Sequence, residues 1–241
     1  MERNVLFKPH TFCVRYHLGD DLMKPEILKK WAAGQHEEAV QQLVDYLEKT
    51  PTDIEAYVTL ATFLTTLKDY EQAEVLLQKA LTQFPENDAL QYALGTLYYQ
   101  AEAYQQAETT FSQLVKETQA LDAQYMLAQT YHQLEQNARA MAFALTVQEK
   151  QPDQLDANIL VGNILISLGD FDQAQTYFKN AHRIDAQNGE AVFKYGLTQL
   201  VLGRESQSYF ERAKTLDSAY FEKNKQQLID IEGFIRAKDQ K

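Results

Sequence analysis

The sequence predicts an all-α fold, an α-solenoid of antiparallel helix pairs closed by a C-terminal helix. Three observations carry that expectation. Gly numbers 9 and Pro only 5 in 241 residues, while Ala, Gln, Leu and Glu dominate, which is helix-forming chemistry. Apolar residues recur at helical spacing over nearly the whole chain. The pattern also repeats: Ala39, Ala73, Ala107, Ala140 and Ala174 are separated by 34, 34, 33 and 34 residues.

Residues 1–22 match nothing downstream. Their weak alternation over Thr11–Tyr16 would suit a short strand, and their apolar runs are too short for a secretory segment. They are expected to be a loosely ordered extension, upstream of a chain that could begin at Met23. Pro25 suits the first turn of a helix, where a missing N–H is no loss. That short helix ends around Trp31 and Gly34. A second runs over His36–Lys49 and is closed by Thr50-Pro51.

The next unit sets the pattern. It predicts a helix over Ile54–Leu67, a turn at Lys68-Asp69, and a helix over Tyr70–Phe84 stopped by Pro85. Small residues recur in each first helix at Ala61, Gly95, Ala128, Gly162 and Gly196. Four residues after each alanine of the second helices stand Leu43, Leu77, Phe111, Ala144 and Phe178. Small residues let two backbones approach, and the larger ones fill the space beside them. Residues 88–120 form a 33-residue unit without a closing proline. The last unit shortens its turn at Leu202-Gly203-Arg204 and puts Ser206 in the alanine position. Tyr220, Phe221, Leu228, Ile231 and Ile235 then recur at helical spacing, predicting a cap over 219–236 that covers the last repeat.

These positions together resemble the tetratricopeptide repeat family. The segment Gln91–Tyr98, followed by Tyr104, Ala107 and Phe111, is the nearest match to the family pattern, and the resemblance covers about residues 20–218 in six units. It implies a right-handed superhelical solenoid. The expected organisation is an extension over 1–22, a solenoid over 23–218, and a capping helix and tail over 219–241.

Composition excludes several functions. Lys plus Arg number 23 against 34 for Asp plus Glu, a net charge of −11, which repels phosphate backbones, so no nucleic-acid partner is expected. Cys13 is the single cysteine, which rules out an internal disulfide or a thiolate cluster and fits a reducing, cytoplasmic setting. No apolar run is long enough for a membrane span. Phosphate-loop, dinucleotide, nucleophile-elbow and zinc motifs are all missing. His10, His17, His36, His132 and His182 form no ligand pair at helical spacing. No enzyme activity, metal or cofactor is therefore expected.

One further face of the first helices recurs at i, i+4 and i+7. It holds Val58, Thr62 and Thr65; Tyr92, Thr96 and Tyr99; Tyr125, Gln129 and His132; Ile159, Asn163 and Ile166; and Phe193, Leu197 and Leu200. Met126, Leu160 and Lys194 adjoin it. The resemblance implies that this face lines a concave groove. Its side chains are hardly charged, and tyrosine offers contact area with a polar tip. The expected partner-binding residues are Thr62, Tyr92, Thr96, Tyr99, Tyr125, Met126, Gln129, His132, Ile159, Asn163, Phe193 and Lys194. They suit a peptide or helical segment of a partner protein. The structural reading of the same tyrosines is packing on neighbouring helices, and the cap is expected to cover Leu197 and Leu200. One sub-type of the family grips a terminal carboxylate with Lys, Asn and Arg. Asn163 matches one such position, but Ile159 and Lys194 depart from the others, which argues against that mode. The competing function is an accessory subunit of an enzyme or envelope assembly that docks through its convex or acidic surface. Oligomeric state is not legible.

Overall fold

The computed structural model describes residues 25–239. The expected extension over 1–22 lies outside the described residues. Among these residues there are thirteen helices and no strand. In order they are α1 (Pro25–Ala32), α2 (His36–Lys49), α3 (Ile54–Thr66), α4 (Tyr70–Gln83), α5 (Asp88–Gln100), α6 (Tyr104–Thr118) and α7 (Leu121–Gln133). Then follow α8 (Asn137–Lys150), α9 (Leu155–Ser167), α10 (Phe171–Ile184), α11 (Gly189–Val201), α12 (Gln207–Leu216) and α13 (Ser218–Asp239). The chain forms two compact units, one ending at Glu135 and one beginning at Gln136. In the first, α1 packs on α2, α3 on α4 and α5 on α6; α3 also lies against α5, and α5 against α7. In the second, α9 packs on α10 and α11 on α12, while α13 covers both α11 and α12. Short connections between consecutive helices make each pair antiparallel.

The repeated small residues sit where the helices meet. Ala39, Ala73, Ala107, Ala140 and Ala174 are all fully buried, as are Leu43, Leu77, Phe111, Ala144 and Phe178. The glycines of the first helices exist because phenylalanines of the second helices occupy their Cβ space. A Cβ at Gly95 would lie 2.7 Å from ring atoms of Phe111, and one at Gly162 would lie 2.6 Å from Phe178. At Gly196 the nearest atoms belong to Tyr209 and Phe210, at 2.9 and 3.2 Å. Phe210 is four residues beyond Ser206, so Ser206 takes the alanine place in the last pair. Helix formation there begins only at Gln207, and α12 is shortened to 10 residues.

Helix ends follow local chemistry. Asp53, Asp69, Asn87, Asp170 and Asn188 each accept a backbone N–H in the first turn of the helix they precede. The turn inside each packed pair contains one left-handed residue, and so does the end of the first unit. Gly34, Gly169 and Gly203 take it without strain, but Lys68, Glu102 and Glu135 take it with φ of 63°, 60° and 59°. The 33-residue unit closes differently from its neighbours. α6 runs to 15 residues, and Gln119 turns the chain with φ 53°, so α7 starts after only two connecting residues and no proline is needed. The cap forms as expected: Phe221 and Leu228 are buried with Phe193, Leu197 and Phe210, and Tyr220 and Ile231 pack against them.

Candidate protein-interaction face

In the first unit, three packed helices carry eight of the expected binding residues. Thr62 lies on α3; Tyr92, Thr96 and Tyr99 lie on α5; Tyr125, Met126, Gln129 and His132 lie on α7. Spacings of three, four and seven residues put Tyr92, Thr96 and Tyr99, and Tyr125, Gln129 and His132, along one stripe of each helix, with Met126 adjoining. Thr62 is exposed, and Tyr92, Thr96, Tyr99, Gln129 and His132 are half-buried. Tyr125 and Met126 are buried. Their side chains therefore serve the packing of α7, whereas their neighbours one turn on offer surface.

The accessible residues are held in place by specific contacts. The Tyr99 ring stands edge-on to that of Tyr104, centroids 5.6 Å apart, and its hydroxyl accepts a long 3.5 Å hydrogen bond from Gln133 Nε2. Tyr92 stands edge-on to Phe111 at 5.7 Å, so its ring rests on the buried residue that fills the Gly95 notch. Gln129 Nε2 donates to the Tyr125 hydroxyl at 3.1 Å. Thr62 and Thr96 hydroxyls donate to the carbonyls of Val58 and Tyr92, leaving their methyl groups as the outward chemistry. Burial pushes the Tyr99 phenol above its usual range, which keeps it a neutral donor and acceptor.

The second unit treats the corresponding positions differently. Ile159 is buried, and Asn163 is half-buried with its Oδ1 in the interior and without a hydrogen-bond partner. Phe193 is fully buried, edge-on to Phe210, Tyr220 and Phe221 at 5.6 to 5.8 Å. As an expected contact residue, Phe193 is thus corrected to a core residue. Its ring anchors α13, and a partner cannot reach it while α13 is seated. Lys194 is half-buried, its Nζ donates to Gln227 at 3.5 Å, and burial lowers its pKa against the opposing pull of Glu190. Leu197 is covered, as expected.

Three residues on or beside the first-unit face carry roles that the periodicity alone did not reveal. Gln133 and Tyr104 position Tyr99. Asp122 starts the α7 stripe, half-buried, and burial raises its carboxyl above the usual carboxylate range. Its place in a first helical turn is the common place for an acid, so the sequence signal was indistinct. Among the described residues no cluster of His, Cys, Asp or Glu could hold a metal ion, and no helix is long and apolar enough to cross a membrane.

Comparison with known proteins agrees with the repeat fold. One tetratricopeptide repeat model matches residues 30–78 and 64–125, and a second matches residues 121–153 and 155–188. No curated protein matches the sequence. Among solved structures, PilF of Pseudomonas aeruginosa is 19% identical with a TM-score of 0.69, over 84% of this chain and 94% of that one. YrrB, a TPR protein with an unusual peptide-binding site, is 21% identical with a TM-score of 0.56, over 75% of this chain and 94% of that one. A thermophilic TPR protein of Thermus thermophilus, TTC0263, is 19% identical with a TM-score of 0.58, over 68% and 92%. At these identities the likeness concerns the fold. Taken with the matched repeat models and the buried small-residue register, it places the chain in the tetratricopeptide repeat family.

Proposed function

We propose that this protein is a non-enzymatic scaffold whose α3–α5–α7 face binds a peptide or helical segment of a partner protein. The tetratricopeptide fold supports protein–protein interaction in general. The finer reading is supported by helical register, which aligns Thr62, Tyr92, Thr96, Tyr99, Gln129 and His132 along stripes of three packed helices, and by the accessible surface these residues keep. Tyrosine combines a rigid apolar ring with a polar tip, and glutamine and threonine add adaptable polar contacts, a composition suited to recognising a protein segment. Tyr125 and Met126 support the face from beneath. In the second unit, Asn163 and Lys194 are the corresponding residues with partial access. A cytoplasmic setting without a nucleic-acid partner belongs to the same proposal, on the single cysteine and the net charge of −11.

The test uses residues whose replacement spares the core. Thr62→Arg and Thr96→Arg together place two bulky cations on the face. Capture from native lysate is compared between wild type and this variant, with equal helical content checked first by circular dichroism. Loss of partners retained by wild type is the expected result. Identical partner sets would assign binding to another surface.

A further inference from the structure

The charge of the same face points to the chemistry of its occupant. α3, α5 and α7 contain no Lys or Arg. The interleaved helices α2, α4 and α6 do carry lysines, Lys49, Lys79 and Lys116, so the first unit is not short of basic residues; they lie in the other layer. Each of the three stripes begins with a carboxylate: Glu55 three residues before Val58, Asp88 four before Tyr92, and Asp122 three before Tyr125.

Acids in a first turn also suit the helix dipole, but they are not the side-chain caps of α3 and α5. Asp53 already caps α3 by accepting from the Ala56 N–H at 3.1 Å, and Asn87 caps α5 by accepting from Leu90 N–H at 3.0 Å. α7 lacks a side-chain cap, so its dipole would favour an ionised Asp122. Partial burial raises the Asp122 pKa. Asp122 has no hydrogen-bonding or ionic partner among the described residues. It is a partly desolvated negative charge at the end of a tyrosine-lined stripe, with no cation to answer it.

We propose that the α3–α5–α7 face takes a basic, apolar-rich protein segment, with lysine or arginine beside Glu55, Asp88 and Asp122 and apolar side chains across Tyr92 and Tyr99. This rests on the interaction face argued above and adds the charge of the partner. Charge complementarity of this kind steers encounter and sets register more than it adds affinity. Pairs at the half-buried Glu55 and the exposed Asp88 each contribute a factor of about two to five, and the desolvated Asp122 roughly three to ten.

The experiment measures anisotropy of three labelled peptides with the full chain. All three share one pattern of tyrosine and leucine, interspersed with lysine, with glutamine or with glutamate. The lysine peptide is expected to bind tightest and the glutamate peptide weakest. Asp122→Asn, nearly isosteric, is expected to weaken the lysine peptide roughly three- to tenfold and to leave the glutamine peptide unchanged. High salt is expected to erase the lysine advantage. Equal binding of lysine and glutamine peptides, abolished by Thr62→Arg and Thr96→Arg, would overturn the charge assignment and keep the face. A lysine preference untouched by Asp122→Asn would assign the attraction to the general acidity of the chain and also overturn it. Absence of binding by all three would overturn both the charge assignment and the face.

Discussion

Gly95→Ala is a one-carbon change that reaches from the repeat core to the proposed interaction face. The added Cβ would sit 2.7 Å from Cε1 and Cζ of Phe111, well inside the ~3.5–4.0 Å of an ordinary carbon contact. Phe111 is fully buried between helices and cannot retreat into solvent. Its ring is also the support for Tyr92, 5.7 Å away, so any shift is passed to a face residue. Overpacking of this size costs about 1–3 kcal/mol. For a chain of this length each kcal/mol lowers Tm by roughly 2–4 °C. Phe111→Leu alone should cost about 1–2 kcal/mol by leaving a small void. The double variant should cost less than the sum by about 0.5–3 kcal/mol, because the leucine vacates the space that the alanine needs. The chain already uses that combination in the preceding repeat, where Ala61 and Leu77 hold the corresponding places and both are buried. Urea denaturation followed by circular dichroism measures all four corners of the cycle. A neutral Gly95→Ala, or additivity within about 0.5 kcal/mol, would refute the packing argument.

The turns and the last repeat give further tests. Lys68→Gly and Glu102→Gly should each stabilise by about 0.5–1 kcal/mol, because they remove left-handed strain that exceeds the entropy added to the unfolded chain. Gly169→Ala, with φ of 79° at the equivalent turn, should destabilise by about 1 kcal/mol in the same assay. His182 stacks on Tyr195, and its buried Nδ1 has no partner. Burial, and next the charge of Arg212, hold its pKa below the ordinary 6.5. The folded chain then binds fewer protons than the unfolded one in mild acid. This contribution is complete above 6.5 and is lost as pH falls through the folded value. His182→Phe keeps a ring on Tyr195 and should flatten that part of the Tm-against-pH curve. An unchanged slope would remove His182 from the account.

The fold was legible because its main constraint is steric. Ala or Gly every 33 or 34 residues marks where two helices touch, and all five alanines of that register are fully buried. The turns were less legible. Gly34, Gly169 and Gly203 announce a left-handed residue, but Lys68, Glu102 and Glu135 adopt the same geometry with nothing in their chemistry to signal it; only their place in the repeat does. The candidate face was half legible. Periodicity places Thr62, Tyr99, Tyr125 and Phe193 on equivalent stripes, yet their exposure depends on what lies beside them. Phe193 meets Tyr220 and Phe221 of the cap, and Tyr125 is enclosed, while Thr62 faces solvent. Asp122 was hidden by its ordinary position in a first helical turn. That it lacks a partner among the described residues became visible only in three dimensions.

Site-specific photocrosslinking in native cells tests the central claim most directly. A photoreactive benzoylphenylalanine replaces Tyr99 on the face or, as the control, Val75, which is 62% exposed on α4 in the other layer. A partner that crosslinks from position 99, does not crosslink from position 75, and disappears on addition of Thr62→Arg and Thr96→Arg is the predicted result. A partner that copurifies with the chain but crosslinks only from position 75 would contradict it.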